Sequence, residues 1–299
     1  MSENSTSSEI KIPVPWGYVA GKWWGPRDQP PVICLHGWQD NASTFDTLAP
    51  LLPPQLSLLA LDLPGQGFSS HYYPGQYYFH WWDSIILLRR VVKHLKLEKV
   101  SLMGHSRGGS VCFLYAATYP DEVDKLICID SAYPQLRTPE FIADNTRANV
   151  DKFLELDGGS KDKGRCFERQ MMLDVASDAY GYSVTREGVE VLMRRGMSSS
   201  PSNPQLFSFT RDPKVKLSGL GVVTKDLVLA YAKKISCEYL NIRAEPGISA
   251  VYPELYDQVL DIIKQSAKRF EYHRVQGKHH LHLNNPTSVV KIIGSFLTS

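Results

Sequence analysis

Along this chain, short apolar runs rich in β-branched residues alternate with stretches of helical periodicity. Val32–Leu35 is an unbroken apolar run ending in His36-Gly37, which predicts a short buried strand. Ser43–Leu52 carries helical spacing and is stopped by Pro53-Pro54. Leu56–Leu63 predicts a second strand, closed by the turn Pro64-Gly65-Gln66-Gly67. Then come a helix over Tyr78–Leu95, a strand at Val100–Met103, a helix over Ser110–Tyr119 and a strand at Lys125–Ile129. Parallel strands need helical crossovers, so this rhythm predicts an α/β fold with a mostly parallel, doubly wound sheet. Glu9–Val14 and Gly17–Trp24 have no helix between them and predict an antiparallel hairpin at the sheet edge.

The rhythm breaks after Ser131. From Pro134 to about Lys234 the pattern is mostly helical, interrupted at Asp157-Gly158-Gly159 and by the Ser/Pro-rich stretch Ser198–Pro204. It resumes with a strand at Cys237–Ile242, a helix over Pro253–Ser266, a strand at Phe270–Val275 and a helix over Pro286–Leu297. The expected organisation is a disordered lead-in over residues 1–9, a core from 10–133 and 235–299, and a helical cap inserted at 134–234.

Composition narrows the function classes. With 299 residues, 43% of them hydrophobic and 21% charged, the chain has enough apolar material for one large core. A net charge of +2 gives no basis for nucleic-acid binding, and no apolar run reaches membrane-spanning length. The polar start, Met1 to Glu9, has the pattern of neither a signal nor a transit peptide. The five cysteines fit no zinc spacing and read as buried or free thiols in a reducing compartment, which suggests the cytoplasm.

The chemistry concentrates at Gly104-His105-Ser106-Arg107-Gly108, between a predicted strand and a predicted helix. A serine on a sharp strand-to-helix turn is exposed and held still, and the helix aims free N–H groups at the same point. A phosphate-binding reading of Gly104–Gly109 fails because Ser110 stands where the lysine belongs. In open parallel sheets ligands bind beyond the carboxyl ends of the strands. The polar residues there are His36, Asp62, Ser106, Asp130, Glu245 and the group His279, His280 and His282. They include a nucleophile, acids and bases, in the order serine, acid, histidine. The three histidines do not read as a metal site, because no carboxylate or cysteine follows at ligand spacing.

Four motifs in sequence carry a resemblance. They are Leu35-His36-Gly37-Trp38, Leu61-Asp62-Leu63-Pro64-Gly65-Gln66-Gly67-Phe68-Ser69, Gly104-His105-Ser106-Arg107-Gly108-Gly109, and Gly277-Lys278-His279 ahead of Asn285-Pro286. Together they resemble the α/β-hydrolase superfamily over essentially everything from Ile10 onward. The opening Met1-Ser2-Glu3-Asn4, Val14-Pro15-Trp16-Gly17, the run from His36 to Asp46, Gly67-Phe68-Ser69-Ser70-His71-Tyr72 and Arg211-Asp212 resemble, more narrowly, the animal serine hydrolase-like proteins. The resemblance implies an α/β-hydrolase fold and a cofactor-free serine esterase type of hydrolase acting on a small ester or thioester. Ser106 would be the nucleophile, His279 the base, and the backbone N–H groups of Trp38 and Arg107 the oxyanion donors. It also implies a cytosolic, perinuclear or peroxisomal location, although Leu297-Thr298-Ser299 is not a Ser-Lys-Leu type of address. A carbon–carbon bond hydrolase with the same triad, and a non-catalytic binding protein on this scaffold, are the competing expectations.

The acid departs from the usual pattern. The common site for the triad aspartate falls on Gly247, within Ile242-Arg243-Ala244-Glu245-Pro246-Gly247. Some branches of the superfamily place the acid at the end of the preceding core strand, which here is Asp130. Asp130 is therefore the expected acid and Glu245 the alternative.

Overall fold

The computed structural model describes residues 6–158, 165–217, 220–247 and 252–299. The hairpin expected from the sequence forms from β1 (Ser8–Val14) and β2 (Gly17–Trp24). Four strands follow: β3 (Val32–Leu35), β4 (Leu58–Leu61), β5 (Val100–His105) and β6 (Val123–Ile129). Helix α1 (His80–His94) precedes β5, and α2 (Arg107–Thr118) joins β5 to β6. The stretch after β6 holds α3 (Pro139–Asp157), β7 (Phe167–Glu168), α4 (Arg169–Tyr180), α5 (Arg186–Gly196), β8 (Met197–Ser199), β9 (Leu206–Phe209) and α6 (Lys225–Ala232). The chain returns to the sheet with β10 (Glu238–Pro246), α7 (Pro253–Ser266), β11 (Arg269–Gly277), α8 (Leu281–Asn284) and α9 (Val290–Thr298).

The large sheet has the order β1-β2-β4-β3-β5-β6-β10-β11. All pairings from β4 to β11 are parallel, and the hairpin adds its two strands antiparallel at one edge. Alternation along each strand splits the core in two. Ile33, Leu35, Leu59, Leu61 and Leu102 pack on one face with α1, α2, α6 and α7. Val32, Cys34, Leu58, Ala60 and Met103 pack on the other with Phe45, Leu48 and α9. The fold is thus a doubly wound α/β sheet, as the rhythm predicted.

Two local expectations are corrected. Ser43–Leu52 is not one helix but two 3-10 turns, Ala42–Phe45 and Ala49–Leu51, because Pro50 removes the N–H that a continuous helix needs at that point. Ser8 and Glu9 belong to β1 rather than to an irregular lead-in, in register with Trp23 and Lys22. Within the segment between β6 and β10, expected to be mostly helical, β7, β9 and β8 also form a small antiparallel sheet. The break expected at Asp157-Gly158 ends α3, while Gly159 lies outside the described residues.

One buried carboxylate ties these parts together. Asp62, just past β4, accepts from Ala42 N at 2.8 Å and from Phe68 N at 2.9 Å. It also accepts from Arg195 at the end of α5, with its Oδ2 2.6 Å from the guanidinium. Both side chains are almost wholly buried. Removing one partner of such a pair leaves an uncompensated charge in the interior. Arg195→Ala should therefore lower unfolding free energy by about 3–5 kcal/mol in a urea titration. A loss below about 0.5 kcal/mol, the range of an ordinary surface change, would contradict this assignment.

Candidate active site

Ser106 sits where β5 turns into α2, with φ 52° and ψ −119°. This backbone conformation is costly for a residue with a side chain, and tight packing around it holds it in place. Ser106 N donates to Ile129 O of the neighbouring strand at 2.9 Å. A Cβ on Gly104 would lie 2.3 Å from Gly109 N, and one on Gly108 would lie 2.1 Å from Leu35 O. Only glycine lets the strand, the helix and the β3 loop approach this closely. Arg107 opens α2, so its N–H is among the first-turn donors that have no intrahelical acceptor.

The loop after β3 closes on the same point. A Cβ on Gly37 would stand 3.4 Å from the Ser106 Cβ, which puts the Trp38 backbone beside the serine. The loop is fixed by His36, which is fully buried. Its Nδ1 donates to Gly37 O at 2.7 Å and its Nε2 accepts from Leu63 N at 3.0 Å. His36 therefore spans the loops after β3 and β4 as a neutral ring. The Trp38 side chain lines the cavity and donates from Nε1 to Val215 O at 3.2 Å.

His279 follows β11, and its Nδ1 lies 2.5 Å from Oδ2 of Asp130. Asp130 ends β6 and is buried, with Oδ1 accepting from Ala244 N at 3.0 Å. Glu245 goes elsewhere: it accepts from Gln276 Nε2 at 3.0 Å and pairs with Arg274. Gly247, which occupies the usual acid position, lies beside Asp130, and a Cβ there would be 2.8 Å from Asp130 Oδ1. The adjacent strand thus brings a carboxylate to the place that the usual site would have supplied.

Further histidines support this loop from behind. The His105 Nε2 donates to the His279 carbonyl at 2.9 Å. His280 places Nε2 3.5 Å from Asp40 Oδ2 and Nδ1 2.5 Å from Ser183 Oγ. His282 meets Thr44 Oγ1 at 2.9 Å. Among the described residues, Asp40, His105 and His280 come nearest to a metal-ligand set, with ligand atoms within 4.8 Å of one another. His280 Nε2 faces the Asp40 carboxylate there, beside the buried ring of His105. Burial, followed by the neighbouring histidine charges, pushes His105 well below the ordinary imidazole range. Burial likewise lowers His36, and it takes His80 and His282 down to about 3.

Ser106, His279, Asp130, Trp38 and Arg107 line one cavity of about 420 Å³. Tyr180, Met193 and Arg211, from the segment between β6 and β10, line it too. Glu245 does not. Sequence reasoning did not single out His80 or Tyr180, and it noted Asp40 and Arg211 only within stretches that carry the family resemblance, with no role given to either. Tertiary packing brings all four to the cavity. Asp62 proves to be the loop anchor described above. No described helix is long and apolar enough to cross a membrane.

Comparison with known proteins agrees with this fold. Residues 30–208 match the family model described as the alpha/beta hydrolase fold. A probable serine hydrolase of Drosophila melanogaster is 45% identical over 97% of this chain and 87% of its own length. Serine hydrolase-like protein 2 of Homo sapiens is 34% identical over 99% of this chain and 97% of its own. The crystal structure of a hypothetical protein from Pseudomonas aeruginosa PAO1 superposes with a TM-score of 0.82 at 30% identity, covering 97% of this chain and 99% of that one.

The buried histidines make stability depend on pH. An unfolded histidine protonates near pH 6.5, whereas His36, His80, His105 and His282 stay neutral to lower pH. Between those limits the unfolded chain binds more protons, so stability is complete above about pH 6.5 and falls as pH drops below it. Lowering pH from about 7.5 to about 5.5 should reduce unfolding free energy by on the order of 1 kcal/mol for each of His80, His105 and His282, the three held furthest below the ordinary range. His282→Gln should shrink that loss. A urea midpoint unchanged over this interval would contradict the neutral cluster.

Proposed function

The chain belongs to the α/β-hydrolase superfamily, alongside animal serine hydrolase-like proteins, and from that premise we propose that it is a serine hydrolase cleaving an ester-like bond in a small molecule. The observation that carries this reading is the meeting of a strained elbow serine and a carboxylate-held histidine in one cavity. Ser106 Oγ attacks the substrate carbonyl while His279 Nε2 takes its proton. Asp130 accepts from Nδ1–H, which fixes the tautomer that leaves Nε2 free and stabilises the cation that forms. The backbone N–H groups of Trp38 and Arg107 receive the oxyanion, where fixed donors in a partly closed cavity act most strongly. The carbonyl re-forms as the alcohol or thiol leaves with the proton from His279. Water, activated by the same histidine, then releases the acid from the acyl-serine. No step calls for a metal or cofactor.

The segment 134–234 serves in this reading as a cap. Tyr180, Met193 and Arg211 line the cavity, so this segment sets which substrates fit, while the sheet supplies the reacting groups.

Hydrolysis of a short activated ester tests the proposal. Ser106→Ala should lower kcat by about 10⁴-fold or more, and wild-type rates in that variant would remove Ser106 from the mechanism. A separate pair of variants tests the acid. Asp130→Asn should stay folded by circular dichroism and lose about 10⁴-fold in kcat, while Glu245→Gln should stay within about threefold of wild type. The opposite pattern would move the acid to Glu245.

A further inference from the structure

The cavity around Ser106 is rich in arginine. Its described lining holds four arginines, Arg107, Arg137, Arg211 and Arg243, against two aspartates, Asp40 and Asp130. Both aspartates are engaged, Asp130 with His279 and Asp40 with His280. Arg243 lies 3.8 Å from Asp257 and stacks on Tyr256, and Arg137 is exposed and stacks on Phe141. The other two are different. Neither Arg107 nor Arg211 forms an ion pair with a carboxylate among the described residues.

Arg107 is held in an unusual way. Its side chain is buried, and one guanidinium nitrogen lies 3.0 Å from His80 Nδ1. His80 Nε2 is 2.7 Å from the Leu217 carbonyl. A carbonyl only accepts, so Nε2 carries the proton and Nδ1 offers a lone pair to the guanidinium. His80 thus orients Arg107 without neutralising it. The Arg107 Nε is buried and has no hydrogen-bond partner. The carboxylate whose field reaches Arg107 is Asp83, but its Oδ2 accepts from Phe79 N at 2.8 Å. Burial lowers the Arg107 pKa to about 10, so the group is still a cation at neutral pH. Arg211 is half-buried on the cavity wall, and its guanidinium stacks 4.8 Å over the Phe209 ring. Buried guanidinium groups are ordinarily matched by carboxylates, because an unmatched charge in the interior is costly.

We propose that Arg107 and Arg211 form an anion subsite in the Ser106 cavity, and that the substrate is an ester-like molecule bearing a carboxylate. This rests on the hydrolase reading above and names the substrate class for it. A planar guanidinium fork suits a carboxylate, to which it can make paired, charge-assisted hydrogen bonds. The arrangement separates two tasks within one residue. The Arg107 backbone N–H receives the oxyanion, and its side chain binds the distal charge. A neutral ester of the same shape would leave the guanidinium groups unmatched on entering the cavity, and that difference is the source of selectivity.

Matched substrates test the proposal. The mono-p-nitrophenyl ester of glutaric acid is compared with the same ester in which the free carboxylate is replaced by a primary amide. The kcat/KM for the carboxylate ester should exceed that of the amide by about tenfold or more. Arg211→Met and Arg107→Met should each bring this ratio toward one. Arg211→Met carries the test if Arg107→Met does not fold. Calorimetry on Ser106→Ala protein supplies a readout that needs no turnover: glutarate should bind, and its diamide, glutaramide, which carries no carboxylate, should not. Equal kcat/KM for the two esters together with no glutarate binding overturns the subsite and leaves the hydrolase reading intact. Glutarate binding with neither ester hydrolysed supports the subsite and overturns the hydrolase reading.

Discussion

The site depends on one backbone crossing, where β5 leaves the sheet and α2 begins. At Gly104 the strand runs so close to the helix that a Cβ would meet Gly109 N at 2.3 Å, and Gly108 presses equally hard on the Leu35 carbonyl. These contacts force Ser106 into a positive-φ conformation and lift its side chain above the carboxyl edge of the sheet. They also bring the β3 loop against Ser106, so that Trp38 and Arg107 line one cavity with it. A single added methyl group at Gly104 or Gly108 would push strand, helix and loop apart together. The strain at Ser106 is sustained by the rest of the core, through the two apolar layers that clamp β5.

In the proposed reading, the Asp130 carboxylate shows how the fold can supply an acid from either of two strands. β6 and β10 are adjacent and parallel, so their ends open onto the same region. Asp130 ends one strand, and Gly247 lies just past the other. With no side chain at Gly247, the Asp130 carboxylate reaches His279 and still accepts from Ala244 N. The requirement is that a carboxylate stand behind the imidazole, and either strand can meet it. Behind that pair, His105 holds the His279 carbonyl and His280 pairs with Asp40, so the base loop is fixed from both sides.

Much of this was legible in the chain. The apolar runs and the turns after them located the parallel strands, because buried parallel strands read as unbroken apolar segments. Ser106 and His279 were readable because their surroundings are local: a glycine-framed turn and a short loop after the last strand. Asp130 was readable as a strand end. The 3-10 turns at Ala42–Phe45 and Ala49–Leu51 were hidden by apolar spacing that mimics a helix, although Pro50 carried the contrary signal. The small sheet of β7, β8 and β9 was missed because its strands are two to four residues long, too short for any periodicity. Arg195 and Arg211 gave no local sign of their roles. Each acts through contacts more than a hundred residues away in sequence, Arg195 on Asp62 and Arg211 on the cavity it shares with Ser106.

The central claim is that the elbow makes Ser106 an activated nucleophile, and covalent trapping tests it most directly. A fluorophosphonate is attacked by an activated serine oxygen, fluoride leaves, and the phosphorus stays on the side chain. After incubation at neutral pH and proteolysis, mass spectrometry should find the phosphonyl group on the peptide carrying Ser106. Labelling should be lost in Ser106→Ala and strongly slowed in Asp130→Asn. An unmodified Ser106 peptide in the folded wild-type protein, or a label that persists in Ser106→Ala, would contradict the account.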